Sequence, residues 1–300
     1  MSSPADSYTG RFAPTPSGAL HFGSLLAALA SFLDARQRHG HWLVRMEDLD
    51  QPRNKPGAQD QILQALTAHG MEWDGPILIQ SQHQKSYHEQ IHHWVDQGLA
   101  YYCDCSRQDL TAQHGVYPGT CRGRHLPPAA DHAVRVRVTD EPIAFTDRLQ
   151  GKISQGLESD IGDFVVRRRD GIIAYQLAVV MDDIAQSVTD IVRGADLLES
   201  TPRQLWLYQL LQAPAPAYMH IPLMMARHGQ KLSKRLGSAP IHSQAASASL
   251  FSALIVLDQQ PPATLRGAPV AELIAWGIEH WQPMRLPPSR EILQQIEIPE

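Results

Sequence analysis

Two hydrophobic periodicities alternate along this chain. Tyr8–Ala13 reads as a short strand entering a Pro/Ser/Gly turn, Pro14–Gly18. Beyond it Leu25, Leu26, Leu29, Phe32 and Leu33 recur at the spacing of one helix face. His41–Met46 (HWLVRM) then reads as a buried strand, and Ala58–His69, closed by Gly70, as a second helix. Strand, turn, helix, strand is the βαβ opening of a nucleotide-binding sheet, so the pattern predicts an α/β fold.

The rhythm breaks from about Ser81 to Ala174. This middle stretch holds all three cysteines, many turn residues and alternating runs such as Ala133–Val138 (AVRVRV), and it reads as an insertion. The α/β pattern returns with Ile173–Val180 and the apolar strand Asp190–Val192. A helix follows, with Thr201 as expected N-cap and Pro202 at its first position. After Lys234 about sixty-five residues remain, opening with the Ser/Ala-rich stretch His242–Leu250. That tail suits a few helices but no second domain of ordinary size. The expected division is residues 1–80 for the first half of the nucleotide-binding domain and 81–174 for the insertion. Residues 175–240 then form the second half, and 241–300 a short tail.

Composition narrows the classes. With 300 residues, 43% hydrophobic and 19% charged, the chain is ordinary globular material without internal repeats. MSSPADSYTG has neither a basic nor an apolar region of the secretory kind, and the longest apolar stretch, roughly Leu25 to Leu33, falls well short of the ~20 residues of a membrane span. A cytoplasmic protein with no membrane partner is expected. The net charge of −5 excludes a basic coat for nucleic acid. Contact with RNA would need local patches: Arg122–Arg124–His125, Arg135/Arg137 or Arg167–Arg168–Arg169. Each patch equally suits a solvated face.

Three short elements carry candidate chemistry. RFAPTPSGALHFGS (Arg11–Ser24) brings glycines and His21 to the mouth of the first helix, whose free N–H groups and dipole favour an anion. RMEDLD (Arg45–Asp50) stands at the carboxyl end of the second strand, where ligands of open sheets gather; its acids suit an ammonium group or a metal, or simply an acidic loop. KLSKR (Lys231–Arg235) lies in a Gly-flanked loop from which two lysines can close over a triphosphate. Each is commonplace alone, and their joint order decides the reading.

Together these elements resemble the class I aminoacyl-tRNA synthetases, whose two signatures, HIGH and KMSKS, stand here as HFGS and KLSKR. RFAPTPSGALHFGS, RMEDLD, IVRGADLLESTPRQ and HIPLMMARHGQKLSKR look like blocks of the glutamyl-tRNA synthetases, over roughly residues 8–240. The resemblance implies a Rossmann-type catalytic domain that joins glutamate to ATP. Arg11, Phe12, Ala13, Pro14 and Thr15 would then line the glutamate pocket, with Arg11 a partner for a substrate carboxylate. Glu47 would take the α-ammonium, and Tyr175 and Arg193 would complete the pocket. His21 and Ser24 would face the ATP phosphates with Lys231, Ser233 and Lys234, His21 and Lys234 acting catalytically. One block departs from the pattern: Arg193-Gly-Ala-Asp196 carries Ala195 where the family has Glu. The carboxylate of glutamate would attack the α-phosphate of ATP in line, with magnesium on the triphosphate and no protein nucleophile.

Cys103, Cys105 and Cys121 fall within nineteen residues, in the spacing C-x-C-x11-Y-x3-C of a small structural zinc site. Chemistry alone nominates His114 or His125 as fourth ligand; the resemblance nominates Tyr117. The short tail leaves no room for the anticodon-binding part of a full glutamyl-tRNA synthetase. The chain thus looks like that family's truncated paralogues, which carry the same HFGS and C-x-C…Y-x3-C patterns and transfer glutamate to queuosine, the modified wobble base of tRNA(Asp). The expected partners are ATP, L-glutamate and queuosine-bearing tRNA(Asp). The rivals are a minimal glutamyl-tRNA synthetase charging a 3′ end, a catalytically inactive paralogue binding glutamate or tRNA, and another nucleotidyltransferase with an H-x-G-H loop.

Overall fold

The computed structural model describes residues 8–106, 108–109, 116–225 and 241–293. Strand β1 (Thr9–Phe12) pairs in parallel with β2 (His41–Met46), and β2 with β3 (Leu78–Ile79). Strand β9 (Asp190–Gly194) pairs in parallel with β10 (Ala217–Ile221). The Thr189 N–H donates to the Thr9 carbonyl at 2.9 Å, which sets β9 beside β1. The spatial order is β3-β2-β1-β9-β10, so the order in which strands are added switches there, running outward in one direction from β1 and in the other from β9. Open α/β sheets bind ligands at that switch point, outside the carboxyl ends of the strands.

Helix α1 (Phe22–Gln37) makes the β1–β2 crossover, burying Leu25, Leu26, Leu29 and Leu33 against the sheet. It also buries Asp34, 1% exposed among the apolar residues of its buried face. Tyr8 Oη donates to it at 2.7 Å, Arg148 grips both oxygens at 2.6 and 2.8 Å, and Trp281 Nε1 donates at 3.1 Å. One carboxylate thereby ties the first strand, the middle of the chain and the tail together. Helix α2 (Ala58–Ala68) ends as expected at Gly70, which adopts φ +69°.

After helix α3 (Gln84–Asp96) the chain departs from parallel pairing. Strands β4 (Ala100–Cys103), β5 (Ala133–Val136) and β8 (Phe164–Arg167) form an antiparallel sheet, and β6 (Pro142–Asp147) and β7 (Gly151–Gly156) a hairpin. Their apolar faces join Tyr87, Ile91 and Trp94 of α3 with helices α4 (Tyr175–Ala185) and α5 (Thr201–Leu210) in a second core. Two expectations change here. Arg135 of AVRVRV is buried, its guanidinium 3.7 Å from the Tyr117 ring centroid, and so offers nothing to an RNA. Thr201 is the first residue of α5, not its N-cap; the cap position is Ser200, without a side-chain cap bond.

The tail forms helices α6 (Ala246–Val256) and α7 (Val270–His280), which pack on α1 within the main core. Gly277 permits the closeness, since a Cβ there would lie 3.1 Å from a Leu33 methyl. Strand β12 (Glu291–Leu293) pairs in parallel with β11 (Leu223–Met225). Among the described residues no helix is long and apolar enough to cross a membrane.

Candidate active site

The carboxyl ends of β1, β2 and β9 open on a cleft of two chambers. The first, about 660 Å³, holds Arg11, Phe12, Ala13, Thr15, Glu47, Tyr175 and Arg193. The second, about 810 Å³, shares Phe12, Thr15, Gly194 and Asp196 with the first and reaches Pro14, His21 and Ser24. The described site residues of the sheet thus meet in one place. Lys231, Ser233 and Lys234 lie outside the described residues.

Charge in the first chamber rests on a buried network. Arg11, 3% exposed, turns its Nε–Nη2 edge onto Asp183, at 3.0 and 3.4 Å. Arg45 Nη2 lies 2.8 Å from the same carboxylate and 3.7 Å from Glu47, while its Nη1 donates to Gln186. Burial alone would raise the Asp183 pKa, but the charges of Arg11 and Arg45 outweigh it and hold the carboxyl below its ordinary range. Neighbouring Asp182 accepts from Gln80 and Tyr87, each at 2.7 Å, and burial pushes its pKa up.

Glu47 ends β2, its backbone N–H bonded to the Pro14 carbonyl at 3.0 Å. Its Oε1 is buried and accepts no hydrogen bond. Burial, opposed chiefly by Arg45, pushes its pKa up to about 7. A buried carboxylate without a donor is costly, and a bound ammonium group would relieve that cost.

Arg193, at the end of β9, is saturated on two sides. Nε donates to His220 Nε2 at 2.9 Å, and Nη2 to Gln204 Oε1 at 2.8 Å and Thr201 Oγ1 at 3.0 Å. Nη1 has only a long bond to Tyr175 Oη, 3.4 Å, so its remaining capacity lies on the side of Tyr175, which lines the chamber. At the other end of the cleft His21 is the N-cap of α1, with extended backbone and Nδ1 accepting from the Ser24 N–H at 3.2 Å. The helix N-terminus supplies the second chamber with the N–H groups and dipole that suit phosphate.

Several residues that line the cleft or support its side chains were not singled out from the sequence: Gln80, Asp182, Asp183, Asp147 and His220. Two signals were there: the adjacent aspartates within the apolar run Ala178–Ile184, and the place of His220 at the head of the block HIPLMMARHGQKLSKR. Ala195 is buried at 6% exposure, and the neighbouring Asp196 side chain borders both chambers.

A second cluster lies outside the cleft. The sulfurs of Cys103, Cys105 and Cys121 fall within 4.8 Å of one another and can hold a metal ion. Tyr117 Oη stands 3.5 Å from Cys103 Sγ and 3.8 Å from Cys105 Sγ, and Cys105 and Cys121 are 3.5 Å apart. Those spacings match the edges, roughly 3.8 Å, of a tetrahedron with metal–sulfur bonds near 2.3 Å. Tyr117 is placed by a bridge to Gly162, where φ is +72° and any Cβ would collide with the Tyr117 carbonyl. His125 is exposed, and His114 lies outside the described residues.

Residues 8–121 and 123–253 match the model of the tRNA synthetases class I (E and Q), catalytic domain. The chain belongs to this family, the class that its sheet and cleft define. Among curated proteins it is similar to the Glutamyl-Q tRNA(Asp) synthetase of Ectopseudomonas mendocina, 54% identical over 96% of this chain and 97% of that protein. The protein of the same name from Pseudomonas aeruginosa PAO1 is 52% identical over 94% of this chain and 96% of its own length. Among solved structures the chain superposes on the glutamate–tRNA synthetase of Elizabethkingia anophelis with TM-score 0.80 at 23% identity, covering 96% of this chain but 68% of that one. A glutamate tRNA ligase from Elizabethkingia meningosepticum, in complex with its amino acid, gives 0.79 at 23% identity over 94% of this chain and 66% of the ligase.

Proposed function

We propose that this protein activates glutamate with ATP and transfers the glutamyl group to the queuosine base at the wobble position of tRNA(Asp). What carries the reading is a match along nearly the whole length of the Glutamyl-Q tRNA(Asp) synthetases, whereas 66–68% of the superposed glutamate ligases is covered.

In this reading Glu47 receives the α-ammonium of glutamate, and the free faces of Arg11, Tyr175 and Arg193 receive its carboxylates. Phe12, Ala13, Pro14 and Thr15 form the wall. His21 and Ser24 face the phosphates of MgATP, and the KLSKR residues Lys231, Ser233 and Lys234 close over them. One carboxylate oxygen attacks the α-phosphorus, the bond to the bridging oxygen breaks, and pyrophosphate leaves as its charge is neutralised. A hydroxyl of the queuosine cyclopentenediol then attacks the acyl carbon, losing its proton as AMP departs. Residues 81–174 handle the acceptor. Cys103, Cys105, Cys121 and Tyr117 hold a structural zinc ion, which supplies cross-linking and no step of the reaction. The work is cytoplasmic.

Two measurements test this. Exchange of pyrophosphate into ATP should depend on glutamate and need no tRNA, and Lys234→Ala should slow it by about 10²-fold or more. Faster activation of aspartate or glutamine would overturn the pocket. tRNA(Asp) carrying queuosine should accept glutamate even after its 3′-terminal adenosine is removed, and the unmodified guanosine form should not. Charging of queuosine-free tRNA(Glu), lost with its 3′ adenosine, would establish the minimal glutamyl-tRNA synthetase instead.

A further inference from the structure

A buried chain of side chains runs from the β6–β7 hairpin to the amino-acid chamber. Asp147, the last residue of β6, is 2% exposed, and His220 on β10 is fully buried. Asp147 Oδ2 lies 2.6 Å from His220 Nδ1, and its Oδ1 accepts from the backbone N–H groups of Leu149 and Gln150 at 2.9 and 2.8 Å. On the other side of the ring, His220 Nε2 lies 2.9 Å from Arg193 Nε. The Thr201 hydroxyl is 3.3 Å from the same nitrogen, and Tyr218 stacks on the imidazole with centroids 5.9 Å apart.

Donor and acceptor capacity fixes the ring. A guanidinium can only donate, so Nε2 of His220 must accept. The ring proton of the neutral imidazole therefore sits on Nδ1, directed at the Asp147 carboxylate, which can only accept. With Nε tied to His220 and Nη2 to Thr201 and Gln204, the guanidinium plane has one setting, which leaves Nη1 beside Tyr175 in the chamber. Three of the five donors of Arg193 are thereby consumed, and the two on Nη1 carry only the long bond to Tyr175.

We propose that Asp147 and His220 are positioning residues for amino-acid recognition: Asp147 holds His220 in its Nδ1–H tautomer, and His220 Nε2 holds Arg193 with its Nη1 edge turned to the substrate carboxylate. The proposal rests on the reading of the first chamber as a glutamate pocket. It deepens that reading by joining the inserted hairpin to the pocket through hydrogen bonds rather than through packing alone. Neither residue touches substrate; both act through Arg193. An asparagine at 147 can turn its amide N–H toward Nδ1, which drives the proton to Nε2 and sets two donors, Nε2–H and Arg193 Nε–H, against each other.

The test is steady-state pyrophosphate exchange with glutamate and ATP varied separately. Asp147→Asn should raise the KM for glutamate by about tenfold or more while leaving the KM for ATP within about twofold, because only the carboxylate contact is disturbed. Glutamine at 220 has no tautomer and can offer its carbonyl oxygen where Nε2 stood. His220→Gln should therefore raise the glutamate KM much less than His220→Leu does, and the double variant Asp147→Asn/His220→Gln should recover most of the loss caused by Asp147→Asn. His220→Leu, which fills the space without an acceptor, should raise the glutamate KM as Asp147→Asn does. An unchanged glutamate KM in Asp147→Asn, equal effects of Gln and Leu at 220, or failure of the double variant to recover overturns the proposal. Nitrogen-15 NMR of the imidazoles gives an answer independent of activity. The proton should sit on Nδ1 of His220 in the wild type and on Nε2 in Asp147→Asn; Nε2–H in the wild type overturns the relay. If the wild type shows no glutamate-dependent exchange, the glutamate reading fails by itself, and the NMR result still decides the relay.

Discussion

The first chamber and the cysteine cluster both gather ionisable groups, yet they are finished differently. In the chamber, buried charges are balanced from behind, by Asp183 for Arg11 and by Asp147 through His220 for Arg193, while the faces toward the cavity keep unused capacity. Glu47 Oε1 accepts nothing, and Arg193 Nη1 has only its long bond to Tyr175. In the cluster the three sulfurs fall within 4.8 Å of one another with Tyr117 Oη beside them, and none of its side chains lines the cleft. A site built for a transient ligand leaves valence open at the cost of stability; a site built for a resident ion closes on itself.

Removing the support behind the chamber should have the largest effect. Asp183→Ala leaves Arg11 and Arg45, both at most 3% exposed, without their common counter-charge. Breaking a buried ion pair by deleting one partner costs about 3–5 kcal/mol, so the variant should show that loss in urea unfolding and have no measurable exchange activity. A cost below about 1 kcal/mol would mean that the two arginines are held by something other than Asp183, and that the chamber is not balanced from behind.

How much of this was legible depended on whether function or packing chose the residue. Arg11, Glu47, Tyr175 and Arg193 sit at strand ends and a helix start, in motifs whose order along the chain marks them, and the cleft holds all four. The strand His41–Met46 was legible from its apolar stretch Trp42–Val44 and Met46, as a strand covered on both faces is mostly apolar, although Arg45 is buried within it. The supports were not legible: Asp147 and Gln80 are single polar residues in no motif, His220 opens the block HIPLMMARHGQKLSKR but nothing in that block marks it as a partner of Arg193, and only the fold brings them behind the arginines. Arg135 misled for the same reason, since an alternating Arg/Val strand looks half-exposed until Tyr117 and the cysteines cover its polar side. Thr201 looked like a cap because Thr-Pro usually is one, but its hydroxyl accepts from Arg193 instead.

Glu47 sharpens the contrast through pH. Its folded pKa, about 7 against an ordinary 4.5, means that the ligand-free fold binds this proton more tightly than the unfolded chain. The stability this group contributes is present below pH 4.5 and is lost as pH rises through 7, an amount of roughly 3 kcal/mol at most. Glu47→Gln should therefore be more stable than the wild type at pH 8 and about equal to it at pH 4.5, read as a difference in Tm. Glutamate binding has the opposite sign: the ammonium needs the carboxylate, so affinity should rise as pH climbs through 7 in the wild type. In Glu47→Gln it should be weak and flat over the same range. A wild-type affinity that ignores pH would remove Glu47 from the ammonium site.

The smallest effect on global stability should come from the cysteine cluster, because its core of Tyr101, Cys103, Tyr117, Cys121 and Ala133 is a satellite of the two larger ones. Purified protein should contain about one zinc per chain, and Cys105→Ser should lower that content. The loss to global unfolding should be on the order of 1 kcal/mol, a Tm shift of roughly 2–4 °C. Function should split more sharply than stability. Because the cluster's side chains lie outside both chambers, glutamate-dependent pyrophosphate exchange should survive zinc removal by a chelator. The cluster nevertheless braces the surface beside the cleft: Arg169 donates to the carbonyls of Asp104 and Cys105, and its neighbour Arg168 lines the first chamber. Transfer of glutamate to queuosine-bearing tRNA(Asp) should accordingly fall while activation persists. Equal loss of exchange and transfer would show that the metal supports the chamber itself. Native cysteines that react freely with thiol reagents in zinc-replete protein would show instead that the cluster is not closed.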